Sequence, residues 1–389
     1  MKLAFVTPWY GNIPGGAESE CRRTVENLKK HGVEVEILTT CVKEFLSDWS
    51  TNFYKEGTYD LNGVTIRRFM VRKRDTVRFD KINYKLMRNL KISTEEEQIF
   101  MREMVNSPNL YSYISEHGTD YDYFLFIPYM FGTAYYGSRI YPEKSILIPC
   151  LHDESYAYLE IYKTMFENVK GIIFHAPPEK VLANRLYNLS NKQTVLGEGI
   201  DMNFAYEPDR FREKYGIKND FILYAGRKEA GKNVPLLIDF FCRYKKHNKN
   251  ELKLVLIGSG TIEIPSENKN DIIDLGFVPL QNKYDAYAAA TFLCQPSLNE
   301  SFSIVIMESW LCKSPVLVHG DCAVTKDHCI KCNGGLYFND YYEFEGCLDF
   351  YLENPETRKI MAENGMSYVV GNFSWDKIVE KYIEFLGGL

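Results

Sequence analysis

Residues 292–319 read FLCQPSLNESFSIVIMESWLCKSPVLVH. Phe292–Gln295 is a short apolar run closed by Pro296, the pattern of a strand buried on both faces. Phe302–Cys312 follows with helical length and apolar residues on nearly every side. After Ser314 and Pro315, Val316–His319 is a second buried-strand run. Strand, helix and strand within 28 residues make a βαβ unit. Such a crossover makes its strands parallel, and a parallel sheet needs helices on both faces. The stretch points to an α/β fold.

The same alternation extends toward the N-terminus. Leu3–Thr7, Val33–Thr40, Phe124–Ile127, Ile146–Cys150, Ile172–His175, Phe221–Ala225 and Leu252–Ile257 are strand-like runs. Ala17–His31, Glu95–Ser115, Tyr156–Asn168 and Val234–Lys246 are amphipathic stretches of helical length among them. The pattern restarts at Phe221 after the turn-rich stretch Gly197–Asp209, which predicts a linker. At 389 residues the chain exceeds an ordinary single domain, so two doubly wound domains are expected. In such sheets ligands bind at the carboxyl ends of the strands.

Charge narrows the partners. The net charge of −6 argues against a general nucleic-acid binder. Residues 1–200 are balanced overall, yet Arg67–Lys91 holds ten basic side chains against Asp75 and Asp80. Apolar residues are interleaved there, so the segment reads either as a surface for anionic lipid or as a solvated face. Lys2 leads only into the short apolar run LAFVTPWYG, with no small-residue cleavage site, so no secretory leader is expected. Ten cysteines then read as reduced thiols in a cytosol. His319, Cys322, His328, Cys329 and Cys332 could supply zinc ligands, but their order fits no familiar finger. Reduced cysteines packed near the site are the alternative, and no metal is expected there.

Three motifs follow strands. WYGNIPGGAE brings Gly15 and Gly16 to the start of the first helix, where free N–H groups suit a phosphate or a sugar hydroxyl. A plain glycine turn is the other reading, and neither a dinucleotide fingerprint nor a Walker loop fits the spacing. ILYAGRKEAGKN places Arg227 and Lys232 after a strand and before a helix, where they could clamp a diphosphate or simply form a solvated basic loop. In residues 292–319, Glu300 lies in the loop at the strand's carboxyl end and Glu308 about two turns into the helix. The backbone N–H groups of Ser301, Phe302 and Ser303 lie between these carboxylates. One can accept from a sugar, the other from a ribose, while the N–H groups hold phosphate oxygens.

In this order and at these distances, GGAE, LKKHGVEVEIL, LHDE, GID, GRKEAGKN, IGSG, DLGFV and the E-x7-E segment resemble retaining glycosyltransferases of family 4 (group 1) over nearly the whole length. The resemblance implies the GT-B fold, two facing Rossmann-like domains with parallel sheets and an interdomain cleft. Residues 1–200 would bind acceptor and 201–371 the nucleotide sugar, with 372–389 a helix packing back on the first domain. It implies that Arg227 and Lys232 hold the donor diphosphate, Glu308 the ribose and Glu300 hydroxyls of the transferred sugar. Backbone groups near Phe277 and Val278 would pin the base, and Gly15 and Gly16 would close over the donor. His152, followed by Asp153, stands where the family has a histidine beside the reacting sugar. Ser303 and Lys313 depart from the pattern, because glycine is usual at both positions.

The implied activity is transfer of a hexose-type sugar, with retention, from a UDP- or GDP-linked donor to a glycan or lipid-linked acceptor in cell-surface glycoconjugate synthesis. The family's reaction is described as front-face attack, in which the departing phosphate accepts the acceptor's proton. No residue is placed as the nucleophile that a retaining hydrolase needs. Cations at the diphosphate would do the work of a divalent metal, so no metal and no cofactor are expected. The expected place is the cytoplasm, with peripheral contact at the inner face of the plasma membrane through Arg67–Lys91. Two rivals share the architecture: a nucleotide-sugar epimerase and a catalytically silent sugar-binding subunit.

Overall fold

The structure, a computed structural model, describes all residues except Pro14 and Glu229. The chain divides into two compact units, Met1–Gly199 with Trp375–Leu389, and Ile200–Ser374.

The first unit holds strands β1 (Lys2–Thr7), β2 (Glu34–Thr40), β3 (Gly57–Leu61), β4 (Val64–Phe69), β5 (Tyr123–Phe126), β6 (Ser145–Leu147), β7 (Gly171–Phe174) and β8 (Lys192–Val195). They form one sheet in the order β3-β4-β2-β1-β5-β6-β7-β8. All neighbours are parallel except the edge hairpin β3–β4. Its two-residue turn is Asn62–Gly63, with φ of 55° and 77°, between the paired residues Leu61 and Val64. An Asn-Gly pair suits a turn that needs two positive φ angles. The hairpin was not among the expected strands, because β3 is exposed and carries no apolar run.

Two expected helices come out differently. Glu95–Ser115 is two helices, Thr94–Arg102 and Pro108–Glu116. Pro108 has no N–H to give a continuing helix, and the Ser107 side chain caps the second one by accepting from Leu110 N–H. Tyr156–Asn168 shortens to Glu160–Asn168. Its N-terminal N–H groups, at Glu160 and Ile161, donate to the buried carboxylate of Glu97 at 3.2 and 2.9 Å. That cap comes from 63 residues away in sequence, beyond any local signal.

The helix Trp375–Gly387 packs against the helix Gly16–Lys30 in the same unit. The Trp375 ring lies on Gly199, where an added Cβ would fall 2.1 Å from the ring.

The second unit contains β9 (Phe221–Ala225), β10 (Lys253–Ile257), β11 (Ile272–Asp274), β12 (Phe292–Gln295), β13 (Val316–His319) and β14 (Gly335–Phe338). They form an all-parallel sheet in the order β11-β10-β9-β12-β13-β14. The strand order reverses between β1 and β5 in the first unit and between β9 and β12 in the second. Loops leaving such a reversal point diverge to opposite faces of the sheet and open a crevice at the strands' carboxyl ends.

The helix Ile304–Leu311, between β12 and β13, ends with Lys313 in the left-handed region at φ 58°. Ser314 N–H donates to Ser309 O at 3.0 Å and Lys313 N–H to Trp310 O at 2.9 Å, a paired C-terminal cap that glycine normally closes. A non-glycine residue in this conformation costs roughly 1–2 kcal/mol, part of which the extra unfolded-state freedom of glycine offsets. Lys313→Gly is therefore expected to stabilise the second unit by about 0.5–1 kcal/mol. Urea denaturation measures this, and a loss of stability would contradict it.

Candidate functional site

In the second unit, the loops after β9 and β12 leave the sheet at its reversal point and bring Lys232 to Glu300. Lys232 Nζ donates to Glu300 Oε1 at 2.8 Å, and Gln295 Nε2 donates to the same oxygen at 3.0 Å. Both partners of the ion pair are largely shielded from solvent, so the attraction is stronger than at an open surface. Arg227, the second residue after β9, is exposed. Glu229, inside the same motif, lies outside the described residues, as does Pro14 in the glycine loop of the first unit.

Close backbone packing shapes these loops. Gly258, at the carboxyl end of β10, has φ of 125°, and a Cβ there would lie 1.9 Å from Gly226 O. Only glycine fits that approach, which sets the course of the chain into Arg227. Lys228 turns inward, buried, and its Nζ pairs with Asp274 at 2.6 Å.

Ser301 is half-buried, and the Phe302 ring is buried edge-on against Phe373 and His328. What Phe302 can offer a ligand is its backbone. Ser303 caps the following helix at φ 73°, the conformation that glycine favours, although a serine occupies it. The departure from the family's glycine pattern at Ser303 and Lys313 thus leaves the backbone in a glycine-like course at both positions.

Glu308 is 2% exposed, and both of its oxygens are engaged. Lys283 Nζ donates to Oε1 at 2.8 Å and Tyr287 OH to Oε2 at 3.0 Å. Burial, and then the neighbouring Glu308 charge, push the Tyr287 hydroxyl well above its usual range, so it remains a donor. Phe277 is 74% exposed after β11, while Val278 beside it is buried.

In the first unit, Gly15 precedes the helix Gly16–Lys30, and a Cβ on Gly16 would meet nothing within 4 Å. At Gly15 a Cβ would instead fall 2.1 Å from Glu18 Oε2, so the Glu18 carboxylate lies against the start of the helix. His152 and Asp153 follow β6, but they do not face one another. His152 Nδ1 lies 3.5 Å from Glu154. Asp153 accepts from Arg185 and from Tyr158 OH, each at 2.6 Å. Partial burial alone would raise the Asp153 carboxyl, but the Tyr158 and Arg185 bonds hold it below the usual range. Asp153 is thus a charged anchor for its loop.

The His319–Cys332 group does not converge. Among the described residues, its side chains do not bring three ligand atoms together. The helix Ala323–Cys332 aims His328 Nδ1 at Tyr368 OH, 2.9 Å away, and the Cys332 thiol donates to His328 O at 3.1 Å.

Nor is Arg67–Lys91 one continuous basic face. Its first part is β4, where Arg67 pairs with Glu36 at 2.8 Å. Arg68 is buried, donating to Tyr10 O at 2.6 Å. Arg72 reaches Glu103 and Lys85 reaches Glu96, while the Arg74 guanidinium lies over the Phe79 ring. Lys73, Lys81, Arg88 and Lys91 remain exposed, with Val77, Tyr84, Met87 and Leu90 exposed among them on and after the helix Thr76–Leu86. No helix among the described residues is long and apolar enough to cross a membrane.

Several partners escaped the sequence reading. Lys283 and Tyr287 carry no motif of their own and matter through Glu308, while Asp274, the first residue of DLGFV, matters through Lys228. A further group brings Glu20, in the helix Gly16–Lys30, to Cys150 and His175, which follow β6 and β7. The one signal for Cys150 and His175 is the placement of polar residues just after buried strands, and Glu20 has none.

Residues 207–368 match the family model for glycosyl transferases group 1. An uncharacterized glycosyltransferase of Methanocaldococcus jannaschii is 26% identical over 242 residues, 59% of each chain. An N-acetylgalactosamine-N,N'-diacetylbacillosaminyl-diphospho-undecaprenol 4-alpha-N-acetylgalactosaminyltransferase of Campylobacter jejuni is 35% identical over 190 residues, 46% of this chain and 42% of that one. The chain spans about half the length of these curated relatives. The solved structure of Anabaena HepE in complex with UDP aligns over 100% of both chains, with a TM-score of 0.72 and 14% identity. That likeness is one of fold, and the fold is GT-B, built from two Rossmann-like units.

Proposed function

Because residues 207–368 carry the group 1 glycosyl transferase region, we propose that this chain moves a hexose-type sugar, with retention, from a nucleoside diphosphate donor to a glycan or lipid-linked acceptor. The observation that carries this reading is the Lys232–Glu300 ion pair at the carboxyl ends of β9 and β12, where the strand order reverses. The pair brings a cation and a carboxylate together in the segments after β9 and β12, the latter leading into the helix Ile304–Leu311.

In the proposed reaction Lys232 and Arg227 hold the diphosphate and take up the charge that develops as the sugar–phosphate bond breaks. The departing phosphate accepts the acceptor's proton. These cations supply the stabilisation that a divalent ion would otherwise provide. Glu300 accepts from hydroxyls of the moving sugar. Glu308, held rigid by Lys283 and Tyr287, retains lone pairs for the ribose. Val278 and Phe277 offer backbone groups to the base. The first unit takes the acceptor, with His152 beside the reacting sugar and the backbone of Gly15 and Gly16 offered to the donor.

The solved relative HepE binds UDP and UDP-glucose, which supports a uridine donor. The curated Campylobacter relative acts on an undecaprenol-linked acceptor, which supports a lipid-linked one here. Exposed Lys81, Arg88 and Lys91, with Tyr84 and Met87, supply the peripheral contact to an anionic membrane that such an acceptor calls for.

A thermal-shift screen against UDP-, GDP- and ADP-sugars tests the donor assignment. One base is expected to raise the melting temperature in proportion to the logarithm of its concentration. Stabilisation by none of the three would overturn the reading.

A further inference from the structure

Glu20, Cys150 and His175 offer an oxygen, a sulfur and a nitrogen that all lie within 4.8 Å of one another. His175 Nε2 is 2.5 Å from Glu20 Oε1, and Cys150 Sγ is 3.7 Å from Glu20 Oε2. Tetrahedral bonds of about 2.0–2.3 Å would separate such ligand atoms by roughly 3.3–3.8 Å, so small side-chain adjustments suffice. The histidine is also oriented from behind. Its Nδ1 is buried without a hydrogen-bond partner and lies 3.7 Å from Glu179 Oε2. Glu179 is held in turn by the N–H groups of Leu151 and His175, both at 2.7 Å. A carboxylate behind the far nitrogen of a ligating imidazole is the usual support of a zinc-bound histidine. Beside the group, Glu198 is 6% exposed, and its Oε2 has no partner.

From this geometry we propose that Glu20, Cys150 and His175 form a zinc site in the first unit, with water in the fourth position and Glu198 receiving a hydrogen bond from that water. A thiolate, an imidazole and a carboxylate match a borderline-soft ion better than calcium or magnesium, which take oxygen ligands. Zn²⁺ would offset the charges of the Cys150 thiolate and the Glu20 carboxylate, which are costly to bury alone. Zinc would bind Cys150 as the thiolate and His175 as the neutral imidazole, with the displaced protons leaving to solvent. Cys150 is the least buried of the three ligands.

Such a site would tie the helix Gly16–Lys30 to the segments after β6 and β7. Its effect would be to hold the loop that carries His152, two residues beyond Cys150. The proposal does not depend on the transfer reaction and stands or falls on metal binding.

The full-length chain, purified in reducing buffer without a metal-affinity step, is expected to contain about one zinc per chain by elemental analysis. Cys150→Ser and His175→Gln should lose it, while Cys329→Ser, in the second unit, keeps it. Cobalt substituted into the metal-free protein should produce a sulfur-to-cobalt absorption band that Cys150→Ser abolishes. Zinc alone should raise the melting temperature of the metal-free wild type. Absence of zinc from wild type, with no response to added zinc or cobalt, would overturn the proposal. Zinc retained in both ligand variants would overturn it equally. If those variants do not fold, the wild-type zinc content and cobalt spectrum still decide.

Discussion

Lys232→Ala is expected to lower kcat by roughly 10²- to 10³-fold, the usual effect of removing one group aimed at charge that develops in a transition state. The breaking sugar–phosphate bond leaves added negative charge on the diphosphate, and Lys232 Nζ is the cation held in place for it by Glu300, 2.8 Å away. In the absence of the ammonium group, Glu300 keeps its bond from Gln295 at 3.0 Å, so the loop should persist and the loss should fall on rate. Steady-state kinetics with the donor identified by thermal shift measure the effect, with circular dichroism as a control for folding. A rise in KM at unchanged kcat would mean that Lys232 binds ground state and transition state alike, and its proposed role would fail.

Trp310→Ala is expected to destabilise the second unit by about 3–5 kcal/mol, the range for removing a large buried aromatic side chain. Trp310 is completely buried in the helix Ile304–Leu311, and its Nε1 donates to Gly334 O at 2.8 Å. Its ring packs on the backbone of Gly365, in the helix Pro355–Asn372, so closely that a Cβ there would fall 2.2 Å from the ring. Alanine leaves a cavity that this backbone cannot close, together with an unpaired carbonyl. Trp310→Phe, which retains most of the volume, should cost about 1–2 kcal/mol, much of it the lost hydrogen bond. Urea denaturation followed by far-ultraviolet circular dichroism measures both. A loss below about 1 kcal/mol for the alanine variant would show that the two helices repack freely. The same helix carries Glu308, so this packing also bears on the candidate site.

The α/β alternation was legible because strands buried on both faces must be apolar throughout, as in Phe221–Ala225 and Phe292–Gln295. Exposed β3 carries no such constraint, and only the Asn-Gly turn announced its hairpin. Of the candidate site, Arg227, Lys232 and Glu300 in the loops and Glu308 in the helix stood out because they interrupt or follow apolar runs. Their partners did not. Lys283 and Tyr287 occupy ordinary positions in a helix, and nothing local distinguishes them from solvated residues.

By itself the sequence determined the layer architecture and which residues lie at the carboxyl ends of strands, since both follow from local periodicity and from where apolar runs stop. Only the tertiary structure decided which of those residues meet. Lys232 and Glu300 are 68 positions apart, and Glu20 and His175 are 155 apart. Strand order brings such loops to one edge of a sheet, and strand order is set by how helices pack across the sheet. Burial was likewise a tertiary outcome. It divided the run Arg67–Lys91 between paired or buried cations and exposed ones, because β4 lies within the sheet while the helix Thr76–Leu86 keeps one face in solvent.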